Sequence, residues 1–116
     1  MKTELEGRTM NFAVRIVGFV GALPKSSAGQ VIGRQLLKCG TSIGANYREA
    51  NRAESKSDFI HKIGIAEKEA SETGYWLEIC HDASLGSAEQ VAILGQEAEE
   101  LLAILVTIGK KSKSTL

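Results

Sequence analysis

In "EICH", Glu78 and His81 stand three residues apart, the spacing at which one helix face carries two ligands of a ferritin-like di-metal centre. Such centres use the pair twice and add two inward glutamates. Here it occurs once, Glu78 lies off the apolar stripe of its helix, and the other histidine, His61, projects to a different side. Nucleophilic catalysis would need a thiol or hydroxyl beside a histidine with an orienting acid. Cys80 and His81 are consecutive, so about 100° of helix separates them, and Cys39 falls on a core stripe. "GTSIGAN", residues 40–46, has neither the Walker spacing nor a preceding strand. These residues point to no catalytic site, no metal site and no cofactor, and so to a protein that is not an enzyme.

What chemistry remains is that of charge pairing. The 116 residues hold 14 Lys+Arg and 14 Asp+Glu, a net charge of zero, which removes the global basic field that announces nucleic-acid binding. The neutrality is uneven. Through Asp58 there are nine basic and five acidic side chains, a balance of +4; after it there are five basic and nine acidic, a balance of −4. A chain so polarised can pair its basic surface with an acidic one on a neighbouring copy, or with phosphate. Arg34, Lys38, Arg48 and Arg52 fall near one side of a helix by three-and-four spacing and are the candidate contact for RNA or DNA. The alternative is a solvated or subunit-contacting face.

The elements that must position these residues are helices. The single proline, Pro24, and the Gly/Ser clusters divide the chain into four pieces. The first helix is expected over residues 9–23, where Phe12, Ile16, Phe19 and Leu23 form one stripe, and Pro24 stops it. The second, 27–52, carries Ile32, Leu36, Cys39, Ile43, Tyr47 and Ala50. The third, 56–82, opens at Ser55 with Asp58 at capping-box spacing and carries Phe59, Ile63, Ala66, Ala70, Thr73, Leu77 and Cys80. The fourth, 87–109, has Ser87 and Gln90 at the same spacing and carries Val91, Leu94, Ala98, Leu101, Leu105 and Ile108. Residues 110–116, "KKSKSTL", read as a frayed polar tail. The whole is expected to be one all-α domain over 1–116, an up-down-up-down antiparallel four-helix bundle. No run reaches the roughly eighteen apolar residues of a membrane span, and the N-terminus lacks a hydrophobic signal core, so a cytoplasmic protein without membrane contact is expected. The two cysteines read as small buried hydrophobes.

Gly40 to Glu49, "GTSIGANYRE", places glycines, hydroxyls and an asparagine where a helix favours Leu, Ala, Glu or Lys. Gly40, Gly44 and Ala45 allow close approach to a neighbouring helix. The third helix supplies a candidate neighbour, because beside its main stripe runs a second one: Ile65, Glu69, Glu72, Trp76 and Ile79. Two carboxylates in such a line need partners if buried. The expectation is a structural polar network of Ser42, Asn46, Glu49, Glu69 and Glu72 that joins the second and third helices. Two adjacent apolar stripes also suggest a second packing partner, such as another copy of the chain.

The string "TSIGANYREANRAESKSDFIHKIGIAEKEASETGYWLEI" resembles the signature of a bacterial four-helix-bundle family whose founding members are encoded in intervening sequences of large-subunit ribosomal RNA genes. The accessory variability determinants of diversity-generating retroelements are similar in fold. The likeness rests on Ser42, Gly44, Asn46, Glu49 and Ala50, then Phe59, Lys62, Ala66, Glu69, Glu72 and Trp76. It implies a four-helix bundle that assembles into a homopentameric ring without established catalysis, and, through the retroelement relatives, a nucleic-acid or ribonucleoprotein accessory. Zero net charge and an acidic second half depart from the basic pattern of those relatives. A scaffold that docks a protein partner and touches no nucleic acid is the competing expectation.

Overall fold

A computed structural model describes residues 3–114 and consists of four helices: α1 (Glu4–Gly21), α2 (Ser27–Ala50), α3 (Lys56–Asp82) and α4 (Ala88–Ser114). Each begins on a hydroxyl side chain that accepts a hydrogen bond from the backbone N–H three residues on. Thr3 accepts from Glu6 at 3.0 Å, Ser26 from Gly29 at 3.1 Å, Ser55 from Asp58 at 3.0 Å and Ser87 from Gln90 at 3.3 Å. Each cap satisfies an amide that the helix itself cannot, typically stabilising by ~1 kcal/mol. The Ser55 and Ser87 caps agree with the sequence reading. Thr3 starts α1 five residues before the expected Thr9, through a Thr3/Glu6 pair that the sequence reading passed over.

The helix ends also depart from expectation. α1 stops at Gly21, leaving Leu23 to fold into the core from the connection. α2 ends at Ala50, before Arg52. α4 does not fray at Gly109: it continues to Ser114, with Ser112 Oγ donating to the Ile108 carbonyl at 2.8 Å. Residues 115 and 116 of the expected tail lie outside the described residues. Between α3 and α4, Leu85 N–H reaches the Cys80 carbonyl at 2.8 Å and Ser84 N–H reaches His81 at 3.2 Å, the paired bonds of a Schellman ending. Ser84 occupies the left-handed position at φ 53°, where glycine is the usual residue, and Gly86 follows at φ 83°.

Each helix packs against the next in the chain, and α1 packs more slightly against α4. The contacts run in opposite directions along every seam. Gly33 meets Val20 while Gly44 meets Thr9; Glu49 meets Lys62; Gly109 meets Ile63; and Arg8 meets Glu97. The result is the up-down-up-down bundle that helix spacing predicts, 47 × 24 × 22 Å. Every residue of the four expected stripes is buried except Ile32, Phe59 and Ile108, which are partly buried against the same core. Thr9 and Thr73 are the buried polar residues among those described. Thr9 Oγ1 donates to the Leu5 carbonyl at 2.9 Å and Thr73 Oγ1 to the Glu69 carbonyl at 2.7 Å.

The small residues of α2 face α1, not α3. A Cβ on Gly40 would lie 3.0 Å from both Cγ atoms of Ile16, one on Gly44 would lie 2.9 Å from Thr9 Oγ1, and one on Gly33 would lie 3.0 Å from Val20 Cγ1. With no side chains there, α1 sinks between the neighbouring turns of α2. The far edge of α1 is held by one clamp. Arg8 donates from Nε and Nη2 to the two carboxylate oxygens of Glu97, both at 2.7 Å, and from Nη2 to Glu100 at 2.8 Å. This forked geometry is the strong form of an ion pair. Hydrogen bonds from Gln96 and then Arg8 hold the Glu100 carboxyl below its ordinary value.

Two outcomes follow from these contacts. Gly44→Leu drives a side chain into Thr9 and is expected to cost about 3 kcal/mol, roughly 10 °C or more in Tm. Gly64→Ala, at a helical glycine whose added Cβ meets nothing within 4 Å, is expected to stabilise slightly. Equal melting of the two variants would refute the close contact. Arg8→Met is expected to lower Tm at neutral pH. The lowered Glu100 carboxyl contributes stability when ionised and loses it as pH falls through the carboxylate range, so the gap between wild type and Arg8→Met should close on acidification. Thermal melts from pH 7 to pH 3 measure it.

Candidate nucleic-acid interface

α2 turns Leu36, Cys39, Ile43, Tyr47 and Ala50 into the core and its glycines toward α1. That leaves Arg34, Lys38, Arg48 and Arg52 outward, and all four are exposed. At 1.5 Å per residue they extend over roughly 27 Å, as two pairs separated by the turns that carry Thr41 and Ala45. None of the four makes an ion pair among the described residues. Arg52, in the turn just after α2, donates from Nη1 to the Arg48 carbonyl at 3.4 Å, a contact with the last turn of that helix. The nearby acid Glu49 is taken by Lys62 at 2.8 Å, and that carboxylate pushes the Lys62 ammonium up from its ordinary value. The cations of α2 therefore keep their field free for an external anion.

The structure does not treat the four alike. Arg48 lines a groove of ≈ 510 Å³ between α1 and α2, together with Glu6, Met10, Val14, Thr41 and Ala45. Arg34, Lys38 and Arg52 stand outside that lining. Sequence spacing groups the four by angle alone and carries no information on how closely α1 flanks one of them.

The expected polar network between α2 and α3 is not what the hydrogen bonds show. Ser42 Oγ donates to the Lys38 carbonyl at 2.6 Å and Asn46 Nδ2 to the Ser42 carbonyl at 2.9 Å, both inside α2. Glu72 accepts from Trp76 Nε1 at 3.3 Å, one turn along α3. Among the described residues no hydrogen bond joins Ser42 or Asn46 to Glu69 or Glu72. The physical reason is their incomplete burial: Ser42, Asn46, Glu69 and Glu72 are all intermediate in exposure, so water can serve groups that a dry seam would force together. Glu49 does tie α2 to α3, by accepting from Lys62 Nζ at 2.8 Å. The seam itself is apolar, with Cys39 beside Thr73.

Cys39 and Cys80 are free and buried, and burial pushes both thiols up from their ordinary values, which disfavours the nucleophilic thiolate. Glu78 and His81 both line a groove of ≈ 680 Å³ between α3 and α4. His81 Nδ1 is 3.0 Å from the adjacent Asp82 carboxylate. Among the described residues no three His, Cys, Asp or Glu side chains gather at metal-binding distance, and no helix is long and apolar enough to cross a membrane.

The sequence reading missed the outer face of α1. Met10, Val14 and Val17 are 48%, 61% and 51% exposed and form an apolar stripe at four- and three-residue spacing along the α1/α2 groove. A signal was present: from Thr9 to Pro24 the chain carries one charge, Arg15. An exposed helix of an isolated domain ordinarily carries more.

A sequence model described as 23S rRNA-intervening sequence protein matches residues 2–107, a span that includes α1 to α3 and most of α4. The chain belongs to the 23S rRNA-intervening sequence protein family. A crystal structure of a protein of unknown function from the S23 ribosomal protein family of Bacteroides thetaiotaomicron is similar at 41% identity and a TM-score of 0.84, covering 90% of this chain and 97% of that one. No curated protein matches. Family membership extends the likeness seen in "TSIGANYREANRAESKSDFIHKIGIAEKEASETGYWLEI" to the flanking helices, whose apolar spacing alone any bundle would share.

Proposed function

We propose that this protein is a non-enzymatic, cytoplasmic accessory to nucleic acid, acting as a homo-oligomeric, pentameric ring whose α2 faces contact phosphate. The observation that carries this reading is the outer stripe of α2 and the turn that follows it. Arg34, Lys38 and Arg52, with Arg48 at its edge, are exposed cations without acidic partners among the described residues. A family described by an intervening sequence of 23S rRNA adds support. A chain with no net charge binds phosphate weakly through one such stripe. Repeating the stripe around a ring turns later contacts into intramolecular ones and raises avidity without a basic composition.

The competing reading is a scaffold that docks a protein partner and no nucleic acid; the exposed, nearly uncharged face of α1 favours it. Fluorescence anisotropy with structured RNA and with duplex DNA, at low and physiological salt, separates the two. The expected result is binding that weakens steeply with salt. The double variant Arg34→Glu/Lys38→Glu should lose most of that affinity and reduce the log–log salt slope by about one per cation removed. Failure of the wild type to bind at low salt would contradict the accessory role and favour the scaffold.

A further inference from the structure

The cations on the outer side of α2 come as two pairs with a gap between them. Arg34 and Lys38 stand one turn apart, and so do Arg48 and Arg52. From Lys38 to Arg48 is ten positions, roughly 15 Å of helix. Arg52 keeps to the helical course beyond Ala50, because its N–H donates to the Glu49 carbonyl at 3.0 Å. In the gap the same stripe carries Thr41 and Ala45, both short and uncharged, and the Thr41 hydroxyl is turned back onto the Leu37 carbonyl.

The chain around this stripe carries one sign of charge over most of its length. Between Glu6 and Glu49 there is no Asp or Glu, while Arg8, Arg15, Lys25, Arg34, Lys38 and Arg48 all fall in that stretch. Arg8 is held by Glu97 and Glu100. At the Arg48 end the field is tempered: Glu6 lines the α1/α2 groove with Arg48 and keeps its charge, since its hydrogen bond comes from the neutral Asn51 amide. No aromatic ring stands exposed on α1 or α2: Phe12, Phe19 and Tyr47 are buried, and the exposed Tyr75 lies on α3. Proteins that hold single strands ordinarily set aromatic side chains along the basic track, on which the bases stack.

We infer that the ligand of this stripe is a nucleic-acid duplex gripped by both of its backbones, with Arg34 and Lys38 on phosphates of one strand, Arg48 and Arg52 on those of the other, and Thr41 and Ala45 over the groove between. The inference rests on the reading that α2 contacts phosphate, and it needs one bundle only. The grooves of B-form DNA are about 12 and 6 Å wide, and duplex RNA offers a wide, shallow minor groove. A groove edged by phosphates therefore fits a gap of roughly 15 Å, the flexible side chains taking up the difference. Along one strand phosphates recur about every 3.4 Å of duplex axis. A single strand laid along α2 would set phosphates against Thr41 and Ala45, which give them no charge.

Fluorescence anisotropy at low salt tests it, with an RNA duplex, a DNA duplex and the separate strands of each as probes. The wild type is expected to bind duplex about tenfold or more tightly than the separate strands, and the duplex bound more tightly names the source. Arg34→Glu/Lys38→Glu and Arg48→Glu/Arg52→Glu should each weaken duplex binding and each lower the log–log salt slope by about 1.8. Ala45→Lys, at an exposed position in the gap, is the deciding variant. Over a groove the new ammonium meets no phosphate, so duplex affinity should change by less than about twofold with the slope unaltered. Circular dichroism should show each variant as helical as the wild type. Three results would overturn the two-strand grip and leave contact with phosphate standing: single strands that bind as tightly as duplex, a pair whose reversal leaves the slope unchanged, or an Ala45→Lys chain that binds more tightly with a slope steeper by about 0.9. A wild type that binds none of the probes would overturn the phosphate reading itself.

Discussion

The bundle depends on how closely α1 can lie on α2. Three glycines of α2 accept Val20, Ile16 and Thr9 at distances a methyl group would not allow. Their cost in helix propensity is on the order of 1 kcal/mol each. Against this stands the burial of Phe12, Ile16 and Phe19, each worth roughly 1.5–3 kcal/mol. α1 has little else to hold it, since its contact with α4 is slight and relies on the Arg8 fork to Glu97 and Glu100. Were α2 to carry ordinary side chains at these positions, α1 would be lifted from the core and those aromatics would lose their cover.

That dependence explains which parts of the architecture were legible in the sequence. The number of helices, their apolar stripes and the Ser55 and Ser87 caps follow from periodicities and local hydrogen-bond chemistry that a single chain displays openly. "GTSIGANYRE" was legible as a site of close approach, but its partner was not. A glycine has no preferred neighbour, and the choice between α1 and α3 is made by three-dimensional angle. The conspicuous carboxylates Glu69 and Glu72 drew the sequence reading toward α3. In the structure Ser42 and Asn46 turn back onto their own helix and Glu72 onto Trp76, because partial exposure removes the pressure to pair across the seam. The ends of α1 and α4 were misjudged for a related reason. Thr3 and the lysine-rich tail look polar and terminal, yet a cap at one end and the favourable placement of Lys111 and Lys113 in the last turn at the other extend the helices.

For the candidate interface, the exposure of Arg34, Lys38, Arg48 and Arg52 was readable from spacing. The separation of Arg48 from the others was not, because it depends on α1 lying alongside. Zero net charge, which at first weighs against any anionic partner, does not describe every part of the surface. Arg34, Lys38 and Arg48 stand exposed on α2, and Glu78 and Glu99 stand exposed on α3 and α4, so like charges gather locally in a chain that is neutral on average.

The seating of α1 on glycine is tested most directly by a double-mutant cycle between Gly40→Ala and Ile16→Ala, read by equilibrium denaturation. In the wild-type background the added methyl meets both Cγ atoms of Ile16 at 3.0 Å and should destabilise. In the Ile16→Ala background those atoms are gone, and the same methyl should stabilise, through helix propensity and partial filling of the cavity. The account predicts a coupling of about 1 kcal/mol or more between the two positions. Additive effects would show that Gly40 does not bear α1, and would contradict the account.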